Sequence, residues 1–190
     1  MKKCHSFFFS LFTAIILSTS NIFAQVRSIE FTELDSLQAI EKRNIVVFLH
    51  TDWCNYCHYM KNITFKNDRV VELLNNNFYF IDLNAESKKD INYRGHTFKY
   101  KPTGLNTGVH ELAEQLGLIN GKINYPSIAI INIKNEVIFQ YAGLMDSDIL
   151  SQILSVCLAV NTSAVLFITI KYVLYYDSYT HRPLTKNRKV

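Results

Sequence analysis

Apolar side chains recur at changing intervals along this chain, and each interval predicts an element. From Ser28 to Lys42 they fall at Phe31, Leu34, Leu37 and Ile40, with Thr32 and Glu33 near the front, which predicts an amphipathic helix. Asn44 breaks it. Ile45 to His50 is then a continuous apolar run rich in branched side chains, the pattern of a central strand buried on both faces. Thr51-Asp52-Trp53 leaves that strand, and Cys54-Asn55-Tyr56-Cys57 opens a helix that continues through Met60. Another helix is predicted around Asp68–Leu74, and Phe78 to Leu83 reads as the next strand.

Residues 84–122 are polar and punctuated by glycine, with a helix predicted at Val109–Leu116 that ends at Gly117. Tyr93, Phe98 and Tyr100 in this stretch read as local packing, with a substrate-facing lid as the alternative for so long an insertion. Tyr125-Pro126-Ser127 leads into a strand over Ile128–Ile133. The turn Lys134-Asn135-Glu136 then sends Val137–Tyr141 back as a hairpin, closed by Gly143. Asp146 to Leu158 repeats the helical interval through Ile149, Leu150, Ile153, Leu154 and Cys157, with Asp146 or Ser147 as cap.

The two ends differ from this body. Lys2 and Lys3 precede an apolar run from Phe7 to Leu17 and a polar stretch, the layout of a signal peptide over 1–24 cut after Ala24; an uncleaved anchor is the alternative. The domain is expected over 25–158. Residues 159–190 form an apolar, then basic, extension that would either touch or span a membrane or add a strand over Val165–Tyr176. Composition is that of a globular protein, 48% apolar and 19% charged in 190 residues. The net charge of +4 comes from the ends: residues 25–170 hold 13 basic and 15 acidic side chains. Such a body offers no basic face for nucleic acid.

Of four cysteines, Cys4 leaves with the predicted signal peptide. Three in the remainder make a poor disulfide framework, whereas a Cys-x-x-Cys pair plus one points to redox or metal chemistry. The thiolate is the attacking species, and the unpaired N–H groups at a helix start favour it. Two intervening residues bring the second sulfur within bonding reach of the first. Cys54 is therefore expected to be the nucleophile, Cys57 the resolving thiol, and Trp53 a flat docking surface for a substrate chain. A zinc or copper site completed by His50 and His58 is the competing reading, although His96 and His110 stand isolated rather than as a second ligand pair. Cys157, on an apolar stripe, reads as a small core residue.

Val46-Val47-Phe48, Asp52-Trp53-Cys54-Asn55-Tyr56-Cys57, Tyr125-Pro126-Ser127 and Gly143 together resemble the thioredoxin family over about residues 28–158. His58, Met60, Thr64-Phe65 and Asn84-Ala85-Glu86 look most like its exported bacterial members. The resemblance implies an α/β thioredoxin-like fold, a central mixed β-sheet flanked by helices. It also implies a cis Pro126 beside the cysteines, with Tyr125 offering backbone groups to an extended substrate. The implied activity is a periplasmic thiol–disulfide oxidoreductase of the protein-disulfide reductase type that cycles the Cys54–Cys57 disulfide. It would need no cofactor or metal, and would work with protein thiol or disulfide substrates and a membrane electron donor. A metal-binding or non-catalytic module on the same fold is the alternative. One position departs from the family: a buried Asp is usual where this chain has Phe48, leaving water, His50, His58 or Asp52 to move the proton of Cys57. His50 and His58 are also candidates for tuning the pair.

Overall fold

The computed structural model describes residues 25–105 and 107–159. The expected signal peptide with Cys4, and all of the expected extension but Ala159, lie outside the described residues. Among the described residues no helix is long and apolar enough to cross a membrane.

A single 3-10 turn, Phe31–Glu33, runs into α1 (Leu34–Ile40), followed by β1 (Asn44–His50) and α2 (Asn55–Asn62). Next come a 3-10 turn at Thr64–Lys66, α3 (Asp68–Asn77) and β2 (Phe78–Asn84). Two short hairpins follow, β3 (Ile91–Tyr93) with β4 (His96–Phe98) and β5 (Tyr100–Pro102) with β6 (Gly108–His110). The chain continues through α4 (Glu111–Gly117), a third hairpin of β7 (Leu118–Ile119) and β8 (Lys122–Ile123), then β9 (Ser127–Ile131), β10 (Val137–Ala142) and α5 (Ser147–Ala159). The main sheet has the order β10-β9-β1-β2, with β1 parallel to β2 and antiparallel to β9. It is a mixed sheet between two helical layers.

All seven residues of β1 are buried, because alternate side chains feed opposite cores. Val46 and Phe48 enter the core formed with α2, α3 and α5, where they meet Met60, Leu74 and Leu154. Ile45, Val47 and Leu49 enter the core formed with α1 and α4, with Leu34, Leu112 and Leu116. Side chains fix the helix starts: Asn67 Oδ1 accepts from the Arg69 and Val70 amides of α3, and Asp146 Oδ1 from the Ile149 amide of α5 at 2.8 Å. His110 caps α4 through Nδ1, which accepts from the Leu112 amide, while Nε2 lies 3.2 Å from the Lys89 carbonyl. That pairing fits a neutral ring, and burial pushes the His110 pKa down.

Three expectations need correction. The first helix is shorter than Ser28–Lys42, because Ser28 and Ile29 run along β2, with the Ile29 amide donating to the Phe80 carbonyl at 2.9 Å. Ile40, the last residue of α1, stands 84% exposed rather than in a core stripe. The helix expected from Val109 begins at Glu111, since Gly108–His110 pairs with Tyr100–Pro102. The strand expected to reach Ile133 ends at Ile131, where Asn132 turns the chain by accepting from the Lys134 and Glu136 amides. Such side-chain-closed turns compete with ladder pairing.

Candidate active site

The site forms where β1 ends and α2 begins. Cys54 is the N-cap of α2, in extended conformation, and its Sγ accepts from the Cys57 amide at 3.1 Å. The two cysteines form a disulfide with an S–S distance of 2.07 Å, and both are almost fully buried. A sulfur placed there receives the unpaired N–H groups of the first turn, the one end of a helix that favours an anion. Trp53, just before the pair, and Tyr56, between its two cysteines, are 66% and 63% exposed, an unusual degree for large aromatic side chains.

On one side of the disulfide, Trp53 Nε1 donates to Glu86 Oε1 at 3.1 Å, and its ring meets Tyr125 edge-on at 6.2 Å. Tyr125 precedes Pro126 through a cis peptide bond, and the Pro126 carbonyl accepts from the Gly143 amide at 2.8 Å. Gly143 has φ of 142°, a conformation that disfavours any side chain. The Tyr125 hydroxyl is buried with no hydrogen-bond partner among the described residues. Its burial, and next the charge of Glu86, push its pKa up to about 12. The Asp52 loop is tied down from both directions: Asn84 Nδ2 donates to its carboxylate at 3.0 Å, and His58 Nε2 lies 2.9 Å from its carbonyl.

At the end of β1, His50 is 7% exposed and stacks on Phe48 with ring centroids 5.7 Å apart. Its Nε2 lies 2.9 Å from Asp82 Oδ1 and 3.0 Å from Lys61 Nζ, and Lys61 also reaches Asp82 Oδ2 at 2.8 Å. Burial pushes the Asp82 carboxyl up, but the hydrogen bonds and charges of His50 and Lys61 outweigh it, and the net shift is down. Cys157 lies apart from all this, with no exposure and a free thiol that burial pushes up to about 12.

The structure thus brings Trp53, Cys54, Cys57 and Tyr125-Pro126 to one end of the sheet. His50 and His58 turn to separate partners. Sequence reasoning missed Asp82, Lys61 and Glu86 as members of the neighbourhood. Asp82 left a signal, the sole acid within the aromatic and aliphatic run Phe78–Leu83. Lys61 left a weaker one, four residues past Cys57 on the same helix.

The sequence pattern of a thioredoxin-like domain matches residues 31–156. The chain belongs to the thioredoxin-like domain family. Solved structures agree on the fold. A thioredoxin-fold protein from Helicobacter pylori is similar at a TM-score of 0.54 and 15% identity, over 86% of this chain and 96% of that one. A thioredoxin from Thermus thermophilus is similar at 0.52 and 17%, over 74% and 92%. No curated protein matches the sequence. A thioredoxin-like domain with a Cys-x-x-Cys disulfide at a helix start is the framework of thiol–disulfide oxidoreductases in general.

Proposed function

We propose that this protein is an exported thiol–disulfide oxidoreductase that reduces protein disulfides. The observation that carries the reading is Cys54 Sγ at the mouth of α2, bonded to Cys57 and accepting its amide N–H. In the reduced protein Cys54 attacks one sulfur of a substrate disulfide and the other leaves as a thiolate. Cys57 then attacks Cys54, releases the second substrate thiol and restores the Cys54–Cys57 bond. Exposed Trp53 and the backbone at Tyr125-Pro126 would hold the substrate chain alongside. Export to the periplasm is supported by Lys2, Lys3 and the apolar run Phe7–Leu17, and a membrane protein would then return electrons to the pair.

Insulin reduction by residues 25–190 tests the activity, with turnover expected in the parent and none in Cys54→Ser. The reduction potential tests direction. A value near the thioredoxin range, roughly −270 mV, supports a reductase, and one near about −120 mV would overturn that direction in favour of an oxidant. Trapping by Cys57→Ala should leave Cys54 joined to its natural substrate long enough to identify it.

A further inference from the structure

Parallel strands β1 and β2 both begin at the end of the sheet opposite the cysteines. A cavity of about 290 Å³ opens there, between α1, the start of β2 and the segment that carries Arg27 and Ile29. Hydrogen bonds hold its walls to the body of the fold. Asn75 Oδ1 accepts from the Arg27 amide and Asn75 Nδ2 donates to the Gln25 carbonyl, each at 2.9 Å. From β2 the Tyr79 hydroxyl reaches the Leu37 carbonyl at 3.0 Å and the Glu41 carbonyl at 2.8 Å.

Two guanidinium groups meet in this cavity. Arg27 Nη2 and Arg43 Nη1 both donate to the Asn75 carbonyl, each at 3.1 Å. That oxygen belongs to the last turn of α3 and lacks a helical partner, but one guanidinium would satisfy it. Arg43 also pairs with Glu41, the single carboxylate among the described residues that line the cavity. Two positive charges therefore share one negative charge. Arg27 uses one guanidinium donor and Arg43 two, and Arg43 Nε is buried with no partner among the described residues. An orphaned donor on a cavity wall is a defect that an entering acceptor relieves. Much of the remaining wall is apolar: Ile29, Leu37 and Phe78 line it, and Ile40 adds an exposed side chain.

We propose that this cavity binds an amphipathic monocarboxylate, with the carboxylate between Arg27 and Arg43 and the hydrocarbon chain over Ile29, Leu37 and Ile40. A guanidinium presents planar, paired donors that match the two oxygens of a carboxylate. The surplus of one positive charge suits a singly charged ligand, because a dianion would bring its second charge toward Glu41. The volume stands at the small end of ligand sites, roughly 300–1,000 Å³, which sets the chain at about six to ten carbons. The site lies the length of β1 from the disulfide, roughly 20 Å, and is independent of the oxidoreductase reading.

Titration of the protein with octanoate below its micelle concentration, followed by amide chemical shifts, tests the site. Residues 27–29, 37–43 and 75–80 are expected to move, and Cys54 and Cys57 to stay in place. Octanol has the chain without the charge and acetate the charge without the chain, so each should bind at least about tenfold more weakly. Arg27→Gln should weaken octanoate about tenfold by removing a charge-assisted donor, and Ile40→Glu should do the same by placing a carboxylate against the chain. Both side chains are exposed, so both variants keep the fold. Octanol matching octanoate would reduce the site to an apolar cleft and overturn the proposal. Acetate matching octanoate, or an Arg27→Gln variant that titrates like the parent, would overturn it as well. Shifts that stay still at about millimolar octanoate would remove the site altogether.

Discussion

Cys54 and Cys57 on one hand and Cys157 on the other bury their sulfur in the same hydrophobic core, yet their surroundings differ. Cys54 precedes the first turn of α2 and receives a backbone N–H, while exposed Trp53 and Tyr56 stand beside it. Cys157 sits in the last turn of α5, where its amide belongs to the helix and its carbonyl accepts from Asn44 Nδ2 at 3.4 Å. On the proposed function, burial alone does not make a thiol inert. What decides is whether unpaired donors are aimed at it and whether an approaching chain can reach it.

The largest effect that would test this contrast is loss of chemistry. Cys54→Ser should drop disulfide reduction to the uncatalysed background, whereas Cys157→Ala should keep it within about twofold in the same insulin assay. Next is reactivity. With the Cys157 thiol pushed up to about 12, its thiolate at pH 8 is scarce, and alkylation in the folded, reduced protein should run about a thousandfold slower than at Cys54. Mass spectrometry of a time course reads both sites at once, and comparable rates would erase the distinction drawn here. Smaller again, Cys157→Ala should lower stability by about 1–2 kcal/mol in urea unfolding, the range for a modest cavity in a tight core. The smallest effect separates the fold from the site. His110 is held neutral, with its pKa lowered by burial, so the unfolded chain binds its proton first as pH falls. Its contribution is whole above the ordinary value near 6.5 and declines below it toward the folded value. The same acid weakening should appear in the parent and in Cys54→Ser, and should vanish from His110→Gln.

The elements that carry the site were legible because their patterns are local. Ile45–Leu49 announces a strand buried on both faces through an unbroken apolar run, and β1 divides its side chains between two cores. The Cys-x-x-Cys spacing announces its own bond, since both partners lie within one helical turn. The segment after Asn84 was less legible. Its hairpins pair two or three residues each, too short to leave a period of two. Tyr93 shows why: it packs edge-on against Phe31 at 5.2 Å and donates to Asn135, contacts that come from distant parts of the chain. The first helix misled for a related reason, because pairing of Ser28 with Phe80, closed by the Ile29 amide on the Phe80 carbonyl, outbid the local preference for a longer helix.

By itself the sequence determined the buried central strand, the two thiols spaced for a bond at a helix start, and the aromatic beside them. Each depends on neighbours a few residues away, where chain geometry leaves little choice. The tertiary structure alone decided what surrounds them. Parallel pairing of β1 with β2 sets Phe48 opposite Asp82, which brings that carboxylate to His50 and Lys61. Docking of Glu86 and Tyr125 around Trp53 likewise joins segments remote in the chain. Register between strands is a property of the whole packed sheet, and no residue carries it in its own side chain.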